Sequence, residues 1–420
     1  MNAADQCPIR RCPIHADFDP LAEAYRTNPF AVFGAIPSDH SIFYAPAIDY
    51  YVVTRYADIE NVLLDPETYS ASPAQLPVVP LSEEAVRVMR EGQHGPQPSM
   101  VMVSLDPPAH TRLRSPAVRA FTPARVARME PEVRATVTSL LDSIDPFAPF
   151  DLVAALAFPL PATVIFDFLG IPASDWPQLK EWCGHRAELV FGRPTPQGQI
   201  AHAENMVNYR KYVRKFVAEK AEAPDDSFTS ALLAIHREDP GALTTKEIGS
   251  ILYSLTFAGH ETTNYLIGNL VLRLLEDPAR WDAIVADPRL IPGAVQETLR
   301  YDPSVSTWRR VTKKPVRLGG FDLPAGAKLL LWLAASGRDE TVFANPDEFD
   351  LRRAEASKTL AFGKGIHYCI GAALSRLEAQ VALEGLTSRF PRLRLCADGQ
   401  PRFIANLCFR GPEELWVQSL

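Results

Sequence analysis

The stretch Phe362-Gly363-Lys364-Gly365-Ile366-His367-Tyr368-Cys369-Ile370-Gly371 runs directly into AALSRLEAQVALEGL, whose apolar spacing predicts an amphipathic helix beginning just after the cysteine. Cys369 therefore stands at a helix N-terminus. Unpaired backbone N–H groups there carry partial positive charge and favour the thiolate, the form that binds a metal. Gly365 and Gly371 let further N–H groups approach the sulfur and stabilise its charge. Taken alone, a cysteine at a helix start is more often a small buried hydrophobe. Zinc held by His367 and Cys369 is a further reading, weakened because no other pair of ligands clusters with them.

Working outward, Thr244-Thr245-Lys246-Glu247 is a capping box, in which the threonine and glutamate side chains each serve the other's backbone N–H. Apolar residues recur from 248 to 275 and stop before Pro278, which predicts a helix of about 32 residues, roughly 48 Å long. Its middle reads Phe257-Ala258-Gly259-His260-Glu261-Thr262-Thr263, where a core helix would prefer Leu or Ala. Two readings stay open for that segment. In one, Gly259 permits close helix packing and the threonine hydroxyls bond back to the preceding turn. In the other, Gly259 leaves room for a flat ligand while Thr262 and Glu261 hold water and deliver protons.

Three further segments bear on the choice. Glu297-Thr298-Leu299-Arg300 places an acid and an arginine on one helix face, and Phe349-Asp350-Leu351-Arg352-Arg353 supplies two more guanidinium forks. Asp106-Pro107-Pro108-Ala109-His110-Thr111-Arg112-Leu113-Arg114 puts His110 and Arg114 one helical turn apart. Read separately, these are surface charges or satisfied histidines. Together with F-G-x-G-x-H-x-C-x-G they resemble the cytochrome P450 family, whose haem-binding signature the cysteine segment matches.

That resemblance runs from about residue 20 to the end of the chain. It implies a mainly α fold with small β-sheets (α+β), with haem b between the long central helix and the cysteine-loop helix. Cys369 is then the iron ligand. His110, Arg114, Arg309 and His367 are expected at the haem propionates, and Ala258, Gly259, Phe362 and Gly371 against the cofactor. Glu297 and Arg300 with Arg353, or alternatively Arg352, form the family's structural triad.

The implied reaction is a monooxygenation in which O2 is the co-substrate, Thr262 hydrogen-bonds the bound dioxygen and Glu261 relays protons to it. A pocket is expected from Val101, Met102, Val103, Val190, Phe191, Ser254, Phe257, Ala258, Val305, Ser306, Asn406 and Leu407, which suits a small or medium hydrophobic, perhaps aromatic, substrate. NAD(P)H would supply electrons through a ferredoxin and its reductase. Arg112, Arg114, Arg119, Arg125 and Arg128 offer a basic patch to steer an acidic donor, although solvated helix charge is an equal reading for the outer three. A peroxide-using relative and a non-catalytic haem sensor or carrier are the rival readings. The N-terminal CPI…CPIH and the closing Phe409-Arg410-Gly411-Pro412 and Leu415-Trp416-Val417-Gln418 are similar to the haem portion of self-sufficient bacterial P450s and their unfused relatives.

The whole chain agrees with such a protein. Its 420 residues, 47% hydrophobic, are enough to bury a large core. Forty-three basic against 50 acidic side chains leave a formal charge of −7, which argues against nucleic acid as the main partner. The longest apolar stretch, 152–166, is short and interrupted by prolines, so no membrane span is expected. Six scattered cysteines, with Cys7 and Cys12 unmatched by further ligands, fit a reducing compartment such as the cytoplasm, and a monomer is expected. Residues 1–20 are expected to be a flexible N-terminal segment, and 21–420 one haem domain with β-rich parts at about 40–65 and 304–331. The stretch 71–108 reads as a long mobile connection.

Overall fold

The computed structural model describes residues 12–37, 39–92, 101–396 and 401–420. Its helices include α1 (Tyr56–Leu64), α2 (Glu83–Glu91), α3 (Ala109–Ala120), α4 (Pro123–Asp142), α5 (Pro159–Phe168), α6 (Trp176–Phe191), α7 (Pro196–Glu222), α8 (Thr245–Leu275), α9 (Ile291–Tyr301) and α10 (Ala372–Arg389). The axis of the body is α8. Its start is set by the capping box: the Thr244 hydroxyl accepts from the Glu247 N–H at 3.3 Å, and the Glu247 carboxylate accepts from the Thr244 N–H at 2.9 Å.

From there α8 runs 31 residues through the core, packed by α5, α7 and α10. Leu266, Ile267, Leu270, Val271 and Leu274 are fully buried along it. Each such side chain contributes roughly 1.5–3 kcal/mol of apolar transfer, so tertiary burial holds the helix despite the weak formers at its middle.

Strands β1 (Ile42–Ala45), β2 (Tyr50–Val53), β3 (Tyr69–Ser70), β4 (Trp308–Thr312) and β5 (Lys328–Leu331) form one sheet in the order β1-β2-β5-β4-β3. β2 and β5 are parallel, and the other pairs are antiparallel. In β4, Arg309 lies opposite Leu330 and Arg310 opposite Leu329. The mainly α architecture with small sheets is the one the sequence implies, and the second β-rich part lies where expected.

Three expectations need correction. Within the 40–65 region, β structure ends at Val53 and 56–64 is α1, because Tyr56, Ile59, Val62 and Leu63 bury one helical face. The 71–108 stretch contains α2, capped by the Ser82 hydroxyl on the Ala85 N–H, while 93–100 lies outside the described residues. Residues 12–20, expected to be flexible, lie docked on the first sheet. Tyr44 donates its N–H to the Pro13 carbonyl at 2.8 Å, the His15 N–H returns to the Tyr44 carbonyl at 3.0 Å, and Phe18 is buried against Phe43 and Trp332. Positions 1–11, with Cys7, lie outside the described residues. Among the described residues no helix is long and apolar enough to cross a membrane.

Candidate active site

Gly363 and Gly365, at φ of 69° and 65°, turn the chain ahead of Cys369. A side chain at Gly365 would meet the Leu63 carbonyl at 2.8 Å, so this bend can pass only as glycine. The Cys369 N–H donates to the Phe362 carbonyl at 2.9 Å, and α10 begins at Ala372. The sulfur opens on a cavity of about 220 Å³ between this loop and α8. Burial pushes the thiol above its ordinary range, against the N–H groups of Gly371 and Ala372 and the charges of Arg114 and Arg376. Desolvation thus outweighs the expected lowering by the helix terminus. A coordinating thiol is deprotonated by the metal itself, with those same N–H groups and guanidiniums already facing the charge.

Behind the loop lies a fully buried ion pair. Arg300 donates to both Glu297 oxygens at 2.8 and 2.6 Å and to the carbonyls of Gly337, Pro346 and Glu348. Arg353 Nε donates to Glu297 at 3.1 Å, and its Nη2 reaches the carbonyls of Asn345 and Glu348. The third member is therefore Arg353. Arg352 donates its N–H to Asp350, and its side chain is exposed and acts on Asp287.

One edge of the cavity gathers cationic and donor groups. His110 is buried with no hydrogen bond on either ring nitrogen, and its ring lies 4.3 Å from that of His367, whose Nε2 is also unpartnered. Burial, then Arg310, His110 and Arg114, pushes His367 down to about 3. Burial and Arg114 lower His110. Burial lowers Arg310 to about 10 despite Asp106, and burial likewise lowers Arg114. Buried, unsatisfied donors crowded with like charge are costly unless an anion completes them. A dianionic planar group with its carboxylates here would satisfy all of them, so the residues fit haem propionates.

Arg309 is not among these groups. Successive residues of a strand point to opposite faces, so β4 turns Arg310 into the cavity and Arg309 away. Arg309 instead donates to the carbonyls of Leu76 and Ala74 at 2.5 and 3.0 Å and lies over the Phe191 ring. Arg310 is the residue the sequence reading missed, and the alternation of β4 was the signal available for it.

On α8, Ala258 is exposed in the middle of a buried helix because it faces the cavity, as do Gly259, Thr262 and Thr263. The Thr262 hydroxyl bonds back to the Ala258 carbonyl at 2.8 Å. The missing side chain of Gly259 makes room for Ile165 of α5, which an added Cβ would meet at 2.5 Å. Close packing on Ile165 thus accounts for the absent side chain, and Gly259 lines the cavity beside Ala258 as well. Glu261 is also redirected. It is buried on the far side of α8, accepts from the Tyr265 hydroxyl at 2.8 Å and lies 3.3 Å from His260 Nε2.

Of the expected pocket residues, Met102, Val103, Ser254, Ala258 and Val305 line the cavity, joined by Phe121, Ile165, Leu255 and Trp308. Val101, Val190, Phe191, Phe257, Ser306 and Leu407 stand outside the described lining. Phe191 stacks with Phe257 and meets Phe409 edge-on, forming the layer behind the wall. Ser306 donates to the Cys408 carbonyl, Leu407 donates its N–H to the Phe191 carbonyl, and Val101 is core. Asn406 caps the N–H groups of Cys408 and Phe409 and borders a second cavity. In each case the next layer of packing claims the side chain.

A cysteine loop facing a helix across a slot, with unsatisfied donors at one edge, defines a protein built to hold a metalloporphyrin by a thiolate. The family pattern of cytochrome P450 matches residues 285–413. "Cytochrome P450 107B1" of Saccharopolyspora erythraea is 36% identical over 88% of this chain and 89% of its own length. The same organism's "Erythromycin C-12 hydroxylase" is 37% identical over 83% and 84%. The solved structure of "cytochrome P450 CREJ in complex with (4-ethylphenyl) dihydrogen phosphate" superposes with a TM-score of 0.91 at 36% identity, covering 97% of this chain and all of that one. An intact type IV self-sufficient P450 monooxygenase matches with a TM-score of 0.93 at 34% identity, over all of this chain and 54% of that one. The chain belongs to the cytochrome P450 family. It is a haem b monooxygenase that uses O2.

Proposed function

We propose that this enzyme inserts one oxygen atom into a small or medium hydrophobic substrate, aromatic by preference, with electrons from NAD(P)H delivered by a ferredoxin and its reductase. The observation that carries the haem assignment is the unpartnered His367 Nε2 beside Arg114 and Arg310 on the cavity of Cys369, with the unpartnered ring of His110 packed directly against His367. Bound haem b supplies the redox iron and Cys369 its thiolate ligand. The substrate reading rests on walls that are mostly apolar, with Phe121 and Trp308 offering ring faces and edges. The ligand held by the similar CREJ protein is itself a substituted benzene ring bearing a phosphate.

Thr262 holds its proton against the Ala258 carbonyl, one rotamer change from offering it to the cavity, and Glu261 replaces protons passed toward it. Arg119 and Arg128 are exposed near the propionate-binding helix, whereas Arg112 pairs with Glu247, Arg125 donates to the Asp226 carbonyl and Arg114 turns inward. The surface left to attract an acidic electron donor is thus smaller than the sequence implies. The test is the ferrous carbon monoxide spectrum of the loaded protein. A thiolate-type red-shifted band is expected, and it is lost in Cys369→Ser. An unaltered spectrum in that variant would remove the assignment. Binding of alkylbenzenes and alkylphenols, read as displacement of the axial water, is expected to exceed that of aliphatic acids.

A further inference from the structure

A second cavity, of about 410 Å³, lies on the opposite side of α8 from the cysteine. It is bounded by Glu181, His185 and Glu188 of α6, His202 of α7, and Glu261 and Tyr265 of α8. It reaches solvent at Glu181, whose side chain is 60% exposed. Within it, His185 Nδ1 and His202 Nδ1 are 2.8 Å apart, so one ring holds a proton that the other accepts. Glu261 is the only residue named above that belongs both to this space and to the central α8 motif, since successive helical residues diverge by about 100° and Thr262 faces the other cavity. The open space that Glu261 borders is this one, so solvent protons have a path to it from here.

A carboxylate at this depth needs a compensating charge. His260 lies 3.3 Å from Glu261 Oε1, and its other ring nitrogen contacts the Thr256 carbonyl at 3.2 Å. The rings of Phe158 and Phe166 keep its remaining surface dry. Burial works against its charge, yet the Glu261 carboxylate lifts it to about 10. Burial would raise Glu261, but His260 and the Tyr265 hydroxyl hold it down. Both shifts run toward an imidazolium beside a carboxylate.

We propose that protons for oxygen reduction enter through this vestibule, passed from the His185–His202 pair to Glu261, and that His260 positions Glu261 to receive them. The inference rests on Glu261 acting as the relay acid. One proton is taken up at the histidine pair for each that leaves Glu261 toward Thr262, so the steps are proton transfers only. The groups facing the pair are Glu181 and Glu188 on α6 and Glu261 and Tyr265 on α8, with Glu413 acting on Glu188 and Tyr265 from the C-terminal segment. Cys183 of α6 faces His260.

The test compares loaded wild type, Glu261→Gln and the double variant His185→Asn/His202→Asn, driven by NADPH with a surrogate ferredoxin and reductase, in H2O and D2O across roughly pH 5 to 8. Glu261→Gln is expected to slow turnover by on the order of 10²-fold. The double variant is expected to lose the histidine inflection of the pH profile and to show an enlarged solvent isotope effect. A wild-type profile in the double variant with a slow Glu261→Gln overturns the vestibule and leaves the relay. A wild-type rate in Glu261→Gln overturns both. Independently of turnover, imidazole NMR of the ferrous carbon monoxide form should find His260 still protonated past pH 8 and titrating in the ordinary histidine range in Glu261→Gln. A neutral His260 at pH 7 in wild type overturns its positioning role.

Discussion

The cysteine-loop wall of the cavity and the α8 wall opposite it hold their residues by different means. On the loop side, position follows from backbone: two glycines at positive φ, a helix start at Ala372, and carbonyls of 337–348 gripped by Arg300 and Arg353. On the α8 side the backbone is an uninterrupted helix, and each role is set by angular phase. Ala258 and Thr262 face the slot, Gly259 borders it while closing on Ile165 of α5, and Glu261 faces the vestibule. The loop wall should therefore fail as a unit when one bracing group is lost, whereas the helix wall should lose one function per residue.

Glu297→Ala puts the first half of that contrast under most strain. It leaves Arg300 and Arg353 buried without their acid, at a cost of roughly 3–5 kcal/mol. The expected outcome is little or no haem-loaded protein and a sharply lower urea midpoint. A normally loaded, stable variant would show that the brace is dispensable. Gly259→Ala should cost about 1–3 kcal/mol through its collision with Ile165, and the same change should cost less in an Ile165→Ala chain, which lacks the colliding Cγ1. Additive losses, measured by thermal unfolding, would mean that the two side chains do not meet.

The neighbours on β4 sharpen the comparison further. Arg309→Leu should destabilise by about 1–3 kcal/mol, since it strips the carbonyls of Ala74 and Leu76, yet leave haem retention unchanged. Arg310→Leu should do the reverse, losing haem several times faster to an acceptor globin while melting near wild type. Equal haem loss in both would erase the distinction between the faces of the strand. The smallest stability effect is expected for Thr262→Ala, under about 1.5 kcal/mol, because its hydroxyl only bonds back along the helix. More peroxide per NADPH should accompany it, and unchanged coupling would remove the hydroxyl from the relay.

Features carried by contiguous residues were legible in the sequence: the cysteine loop, the capping box, the span of α8, and the pairing of an acid with an arginine one turn on. Features decided by facing direction were not. Arg309 and Arg310 are chemically identical neighbours, and only strand alternation against Leu330 and Leu329 separates them. Phe191 and Phe257 read as pocket in one dimension, yet with Phe409 they form a layer whose rings pack on one another. The vestibule joins α6, α7, α8 and residues 404–406, segments too far apart in sequence for any local pattern to reveal.

The grip of Arg309 on Ala74 and Leu76 couples two parts of the molecule some 230 positions apart along the chain. A slide of β4 by one residue would reverse its alternation, withdrawing Arg310 from the slot and presenting Arg309 there in its place. Because the fork is already engaged on two carbonyls of the 72–76 segment, such a slip would have to tear that segment loose as well. The arginine that never meets the cofactor thus acts as the register pin that keeps its neighbour aimed at it.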